Sequence, residues 1–181
     1  KDTLLEYYNK RAYNSLEYTY TMMMDNKLVS VSLVKAKDVR MFMETKTEGM
    51  ISNMINDGQF VYMWTSMTGM GQKYDLKDYE NKGEAGLQDF EKPTTEVKIL
   101  GRETVNGYDC VKVEIKVEGE VQYQWISEKY GIAIRVIMDN MQMDVTNILV
   151  KDIPDVTFIP PSNINFGGSM FSGLGQLVQV S

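Results

Sequence analysis

The sequence predicts a mainly β fold with few helices (α+β), in which about eleven strands form a strongly curved antiparallel half-barrel within a single domain spanning 1–181. Apolar residues alternate with polar residues through most of the chain, as in strands with one buried face. Turn signals recur at intervals of roughly ten residues, which is typical of antiparallel meanders. The four prolines lie outside the alternating segments. A sheet of this length curls because its strands twist, so it has a hollow side that other segments must cover.

The N-terminal segment 3–13 is predicted to form a helix. Leu4 and Tyr8 recur at the spacing of one helical face, and Thr3 and Glu6 have the spacing of a capping box. This helix can cover only part of the hollow side, because the predicted sheet is much wider than one helix.

Two meanders, over 15–76 and 95–150, account for most of the chain. Between them, 77–93 loses the alternation and gains Gly and charge, so a lid or loop with a short helix is expected there. A terminal segment, 151–165, and a Gly-rich tail, 166–181, follow the second meander. The predicted strands are 15–25, 27–36, 38–46, 50–56, 59–66, 71–76, 95–105, 108–118, 120–127, 131–139 and 141–150.

The alternation also predicts which side chains face the hollow. In 111–118 the apolar residues face one way and the charged residues the other, and Asn106-Gly107 before them is a strong hairpin signal. Cys110 falls on the charged side of that strand, which indicates a weakly packed thiol or a change of phase at the hairpin. The side chains predicted to line the hollow and contact a ligand are Tyr18, Tyr20, Met22, Met41, Met43, Phe60, Tyr62, Trp64, Val113, Ile115, Tyr123 and Trp125.

Composition excludes several classes of function. Nineteen Lys and Arg against 25 Asp and Glu give a net charge of -6, which opposes binding to a phosphate backbone. With no His, neither a Ser-His-Asp nor a Cys-His catalytic arrangement can form. One Cys excludes an internal disulfide and a Cys-based metal cluster. We therefore expect no enzyme activity and no cofactor.

Two short motifs resemble the LolA-like family of lipoprotein carriers. The run from Asn53 to Trp64, with Asp57-Gly58 at its turn, is similar to a hairpin of that family, and Val156–Pro161 is similar to its terminal segment. The resemblance implies an incomplete β-barrel covered by helices, with a cavity that binds acyl chains of lipoproteins or glycolipids. It further implies a carrier or sensor in the cell envelope, outside the cytoplasm, that contacts a lipid or lipidated protein and a membrane surface.

One family feature is missing. The Arg-Pro pair that lipoprotein-releasing members carry at the end of the second strand has no match in 34–37, so no lid-locking arginine is assigned. The chain starts at Lys1 without an initiator Met, and we expect a signal peptide or lipid anchor to have preceded it.

Fourteen Met residues leave two other interpretations open. Met41 with Met43, and Met141 with Met143, place thioethers on one strand face, and soft sulfur ligands select Cu(I). Adaptable lining of an apolar core or pocket explains their spread over many strands better. A scaffold protein whose sheet interior is filled by its own side chains is the other alternative. Alternating Tyr and Trp residues are interpreted as core rather than as a stacking surface for bases or sugars.

Overall fold

The structure is a computed structural model that describes residues 4–78, 96–117 and 119–167. Helix α1 spans Leu4–Asn9, and a 3₁₀ helix spans Asp155–Phe158. The strands are β1 (Ser15–Met24), β2 (Lys27–Lys37), β3 (Arg40–Thr47), β4 (Met50–Asn56), β5 (Phe60–Thr65), β6 (Gly71–Asp75), β7 (Glu96–Val105), β8 (Tyr108–Val117), β9 (Glu120–Ser127), β10 (Ile132–Met138) and β11 (Met141–Val150).

All eleven strands belong to one antiparallel sheet with the spatial order β6-β5-β4-β3-β2-β1-β11-β10-β9-β8-β7. The first and last strands, β1 and β11, pair at its centre and so join the two predicted meanders. The described outer strands β6 and β7 do not pair with each other, so the sheet is open. The predicted fold class, an open half-barrel, is confirmed, and each predicted strand is present with bounds that differ by at most two residues.

Short hairpins set this topology. Asp25 and Asn26 have φ values of 50° and 61°, and Asn106 and Gly107 have φ values of 50° and 82°. Two central residues with positive φ give a turn whose twist matches that of the flanking strands, and Asn, Asp and Gly accept this conformation at low cost. The hairpin predicted at Asn106-Gly107 is therefore confirmed.

Bulges bend the sheet near its centre. The register of β1 with β11 shifts between Glu17 and Thr19, opposite Asn147, whose φ is 54°. A second shift between Ala133 and Arg135 interrupts the pairing of β10 with β9. Each bulge adds an unpaired residue to one strand and increases the local twist, which contributes to the curvature of the sheet.

Helix α1 is shorter than the predicted 3–13, whose first residue lies outside the described ranges. It ends at Asn9, and the N–H of Ala12 donates to the carbonyl of Lys129 at 2.8 Å instead of continuing the helix. Leu4 and Tyr7 are buried against strands β8 and β9. Packing onto the turn between β9 and β10 therefore overrides the local helical pattern.

The buried residues of the described ranges form three core clusters. The largest joins the two halves of the sheet and contains Tyr18, Val34 and Trp125. Cys110 belongs to the same cluster and is only 1% exposed, so the prediction of a weakly packed thiol is wrong. The strand keeps its phase there, and contacts near the hairpin cover that side of β8. The second cluster lies under α1, and the third lies between strands β3–β5 and the C-terminal residues.

The predicted lid at 77–93 and tail at 166–181 lie mostly outside the described residues. Residues 76–78 are helical. Within the described ranges, no helix has both the length and the apolar character needed to cross a membrane. The assignment of 1–181 to a single domain stays a prediction.

Candidate functional site

One face of the sheet carries a continuous apolar row. Tyr18 pairs with Val34, Val34 with Met43, Met43 with Met54 and Met54 with Met63. Residues paired across neighbouring antiparallel strands lie on the same face, so these side chains form a row across β1–β5, which we call the methionine row. With strands about 4.8 Å apart, the row is roughly 19 Å long.

Exposure changes along the methionine row. Tyr18 and Val34 are 6% and 2% exposed, whereas Met63 is 43% exposed. Met43 and Met54, between them, are half-buried. The row is therefore closed by the core at β1 and β2 and opens to solvent at β5.

More methionines lie on the same face at the other end of the central strands. Met22 pairs with Met143, and Met24 pairs with Met141. The hydroxyl of Tyr20 donates to the sulfur of Met143, and burial raises the pKa of Tyr20, so the phenol stays a neutral donor. We call this side of the sheet the methionine face. Its methionines are Met22, Met24, Met41, Met43, Met50, Met54, Met63, Met138, Met141 and Met143.

Among the described strands, Met23 lies on the opposite face, because it pairs with Gln142 rather than with another methionine-face residue. A methionine set placed so strongly to one side indicates a single adaptable apolar surface, since thioether side chains are unbranched and change shape easily. Beside the methionine row, on the same face, Ser32 and Thr45 pair across β2 and β3, and their hydroxyls share a hydrogen bond of 2.8 Å.

The predicted ligand-contacting residues do not all share this face. Seven of them do: Tyr18, Tyr20, Met22, Met41, Met43, Val113 and Ile115. That these residues contact a ligand stays a prediction.

Phe60, Tyr62 and Trp64 lie on the opposite face, so the prediction of a common inner face is wrong for them. Strand β5 places Met63, not its aromatic residues, opposite Met54. The turn length between β4 and β5 fixes this register, and a change of one residue exchanges the two faces of a strand.

Val113 and Ile115 are fully buried beneath α1, in the same cluster as Leu4 and Tyr7. They lie on the methionine face, because Val113 pairs with Gln124, Gln124 with Val136 and Val136 with Met143. Helix α1 covers them, and that they contact a ligand stays a prediction. The sequence predicted the N-terminal helix, but it did not indicate which strands this helix covers.

Tyr123 and Trp125 lie on the face opposite Val113, because Val113 pairs with Gln124 between them. The indole N–H of Trp125 donates to a carboxylate oxygen of Glu103 at 2.8 Å, and the hydroxyl of Tyr123 donates to Glu114 at 3.1 Å. Their placement with Val113 on one inner face is therefore wrong. Both polar tips are satisfied, as the sequence-based interpretation of core residues with paired tips expects.

Met54 and Met63 were missing from the predicted site. The alternation of Met50, Ser52 and Met54 is visible in the sequence, but only the pairing of Met54 with Met43 shows which face it shares.

The C-terminal residues 151–167, which we call the strap, cover the face opposite the methionine row. Lys37 contacts Asp152 at 3.0 Å and Asp155 at 3.3 Å, and Arg40 contacts Asp155 at 3.0 Å. The hydrogen bond from Arg40, together with that from Lys37, holds the pKa of Asp155 below its usual value. Ile153 and Phe158 of the strap are buried. These ion pairs fix the start of the strap on the hairpin of β2 and β3.

The end of the strap is fixed at the start of β6. The N–H of Gly71 donates to the carbonyl of Asn165 at 2.9 Å, and the N–H of Asn165 donates to the carbonyl of Gly69 at 2.9 Å. The ring of Phe166 meets Tyr62 and Trp64 edge to face, with centroids 5.2 and 5.8 Å apart. The strap therefore packs against Tyr62 and Trp64 of β5.

A cleft of about 400 Å³ remains between β4, the turn after β5 and the strap. Asn53, Trp64 and Thr65 form its strand side, and Asn163 and Ile164 form its strap side. Within the described ranges, no group of three or more His, Cys, Asp or Glu side chains is placed to hold a metal ion.

Several solved structures share the fold. An uncharacterized conserved protein from Thermus thermophilus superposes with a TM-score of 0.64 at 9% identity, over 89% of this chain and 94% of that one. MucB in complex with MucA(peri) gives a TM-score of 0.56 at 11% identity, over 91% of this chain, which spans 62% of the MucB chain. The Mycobacterium tuberculosis lipoprotein LppX gives 0.52 at 8% identity, over 83% of this chain and 92% of that one.

These likenesses concern the fold alone, and they confirm the LolA-like architecture that the short motifs implied. No curated protein sequence matches this chain. The family described as a domain of unknown function (DUF4412) matches residues 17–133, from the first residues of β1 to the start of β10, and the chain therefore belongs to this family.

Proposed function

We propose that this protein binds a long acyl chain, of a lipid or of a lipidated protein, on its methionine face. In this proposal it acts as a non-catalytic carrier or sensor outside the cytoplasm. The observation that carries the proposal is the methionine row, which crosses five strands and opens to solvent at Met63. A row filled only to complete a core has no need of an exposed end.

The shape and chemistry of the row suit an acyl chain. The open part of the row, from Met43 to Met63, is about 10 Å long, which accommodates about half of an extended chain of sixteen carbons. The thioethers of Met43, Met54 and Met63 are uncharged and conform to apolar partners of varied shape. Such a surface binds a ligand through the apolar area that is buried rather than through hydrogen bonds.

The binding energy decides how the ligand should be sought. Complete burial of about sixteen CH₂ groups contributes roughly 12 kcal/mol, but a chain that lies on an open row buries about half of its surface, for roughly 6 kcal/mol. Association costs at least about 4 kcal/mol, so the row by itself holds the chain weakly. A covalent capture method is therefore preferable to purification of a complex.

The resemblance to LolA-like carriers supports this function, because their cavities bind acyl chains. The LolA-like sheet supplies the same architecture here. Location outside the cytoplasm and contact with a membrane surface belong to the proposal and rest on that resemblance.

Photo-crosslinking with a diazirine analogue of palmitic acid tests the proposal. We expect labelling to map to peptides that carry Met43, Met54 or Met63. Met54→Gln and Met63→Gln place a polar group in the row and should each lower labelling about fivefold. Met23→Gln is the matched control, because Met23 is also half-buried but lies on the opposite face.

Each alternative gives a different result. A self-filled scaffold predicts no labelling above that of an unrelated protein, and an equal loss in the Met23→Gln control contradicts the assignment to the methionine face. A Cu(I) protein instead predicts a rise in thermal stability with Cu(I), which Met41→Leu with Met43→Leu abolishes.

A further inference from the structure

The cleft beside the strap lies on the face opposite the methionine row, so it is independent of the proposed acyl site. Its volume of about 400 Å³ falls within the range of small-molecule sites. Strands β4 and β5 form one wall through Asn53 and Trp64, which pair across the two strands. The strap forms the other wall through Asn163 and Ile164.

The polar groups of this cleft have few partners within the protein. Among the described residues, the side-chain amides of Asn53 and Asn163 and the indole N–H of Trp64 make no hydrogen bond to another residue. The hydroxyl of Thr68 donates to the carbonyl of Met70 at 3.3 Å, and it lies 3.5 Å from the hydroxyl of Thr65, at the limit for a hydrogen bond. An amide offers both donors and an acceptor, so the cleft keeps unused capacity of both kinds.

The indole N–H of Trp125, the other tryptophan of the chain, has a hydrogen-bond acceptor within the protein, whereas that of Trp64 has none among the described residues. Trp125 is 7% exposed, and its N–H donates to Glu103 at 2.8 Å. Trp64 has no such acceptor among the described residues, and its ring lines a cleft instead. A cleft that brings an aromatic ring together with unpaired amides is suited to a ligand with an apolar side and many polar groups.

The absence of charge narrows the ligand class. None of the ten described residues that line the cleft is charged. An ionic ligand would lose its hydration there without a countercharge, which is costly. An acyl chain would leave the amides of Asn53 and Asn163 dehydrated and unpaired, which is also costly.

We propose that this cleft binds a neutral saccharide, of one or two sugar units. The sugar hydroxyls donate to and accept from the amides of Asn53 and Asn163, while the C–H side of the ring packs on Trp64. The walls are positioned before binding, because the strap is bonded to Gly69 and Gly71.

The two indole N–H resonances of the protein provide the test, since the chain has two Trp residues. Glucose, N-acetylglucosamine, maltose, cellobiose and chitobiose are titrated into ¹⁵N-labelled protein. We expect the Trp64 resonance to shift and saturate with at least one of them, with a Kd of about 1 to 10 mM, while the Trp125 resonance stays in place. No saturable shift up to about 50 mM with any of these sugars overturns the proposal.

Variants separate the cleft from a general effect. Asn53→Ala and Asn163→Ala should each weaken binding about fivefold or more, and both should fold, because neither amide is bonded in the free protein. Gln59→Ala removes an exposed amide in the turn between β4 and β5 and should leave the Kd unchanged. Equal binding by all three variants, or a shift of Trp64 by decanoic acid in place of the sugars, overturns the proposal. Loss of acyl labelling at the methionine row leaves this site unaffected, so the two proposals fail separately.

Discussion

Replacement of Gly71 by Ala should detach the end of the strap from the sheet. Gly71 starts β6, and its N–H holds the strap through Asn165. A Cβ at this position would lie 2.5 and 2.7 Å from two ring carbons of Phe166 and 2.8 Å from the carbonyl oxygen of Met63. All three distances are shorter than real Cβ contacts, so at least one neighbour has to move.

The loss of unfolding free energy in Gly71→Ala depends on which of these neighbouring atoms can move. The Phe166 ring can swing away, but it then loses its edge-to-face contacts with Tyr62 and Trp64. The carbonyl of Met63 belongs to the ladder between β5 and β6 and cannot move without loss of pairing. Overpacking of this kind costs about 1 to 3 kcal/mol of unfolding free energy, and a lost aromatic pair contributes about 1 kcal/mol of that cost.

Urea unfolding followed by tryptophan fluorescence measures the change, and an apolar dye reports whether the aromatic side chains of β5 become exposed. Gly69→Ala is the matched control, because the nearest atom to its new Cβ, the carbonyl oxygen of Asn163, lies 4.0 Å away. We expect this control to retain the stability of the parent within about 0.5 kcal/mol.

A double variant tests the cause. With Phe166→Ala already present, Gly71→Ala should cost less than it does alone, with a coupling energy of about 0.5 to 2 kcal/mol. If Gly71→Ala is as stable as Gly69→Ala, or if the two costs add without coupling, the strap does not pack on Gly71 as the structure indicates.

Three further outcomes are expected. Burial raises the pKa of the Cys110 thiol to about 11, so little thiolate is present at about pH 8. A maleimide should therefore label Cys110 slowly in the native protein and fully in urea. Rapid labelling of the native protein contradicts the packing of β8. The hydrogen bond from Trp125 lowers the pKa of Glu103 below 4.5. The stabilisation by the Glu103 carboxylate is therefore complete above pH 4.5 and is lost as the pH falls through the lowered pKa. The Glu103→Gln variant should be less stable than the parent near neutrality, and the urea midpoints of the two proteins should converge in acid. Gly131→Ala adds a Cβ 2.5 Å from the carbonyl oxygen of Tyr8, at a backbone φ of +65° that Ala adopts at a cost. Because this pushes α1 away from the turn, hydrogen exchange of the α1 amides should accelerate. Unchanged exchange rates would contradict the packing of α1 on that turn.

Local patterns in the sequence were sufficient to predict the strands. Strands 50–56, 120–127 and 141–150 have the predicted bounds, because period-two alternation and turn residues are properties of neighbouring residues. The turn at Asn106-Gly107 was predictable for the same reason. The open half-barrel followed from the number of strands and their twist.

The relation between strands was not predictable in this way. Met43 and Trp64 each have a clear phase within their own strand, but only the register through Met54 and Met63 places them on opposite faces. One residue more or fewer in a hairpin loop exchanges the faces, and loop length cannot be read reliably from turn residues alone. The predicted ligand-contacting set therefore mixed side chains from both faces.

Sequence by itself determined the eleven strands, the open antiparallel architecture and the abundance of adaptable apolar side chains. Tertiary structure alone decided which of those side chains meet. Helix α1 covers Val113 and Ile115, and the strap packs against Tyr62 and Trp64 on the opposite face, whereas the methionine row is open at Met63. The physical reason is that burial depends on contacts between residues far apart in the chain, whereas alternation records only that a side of each strand is apolar.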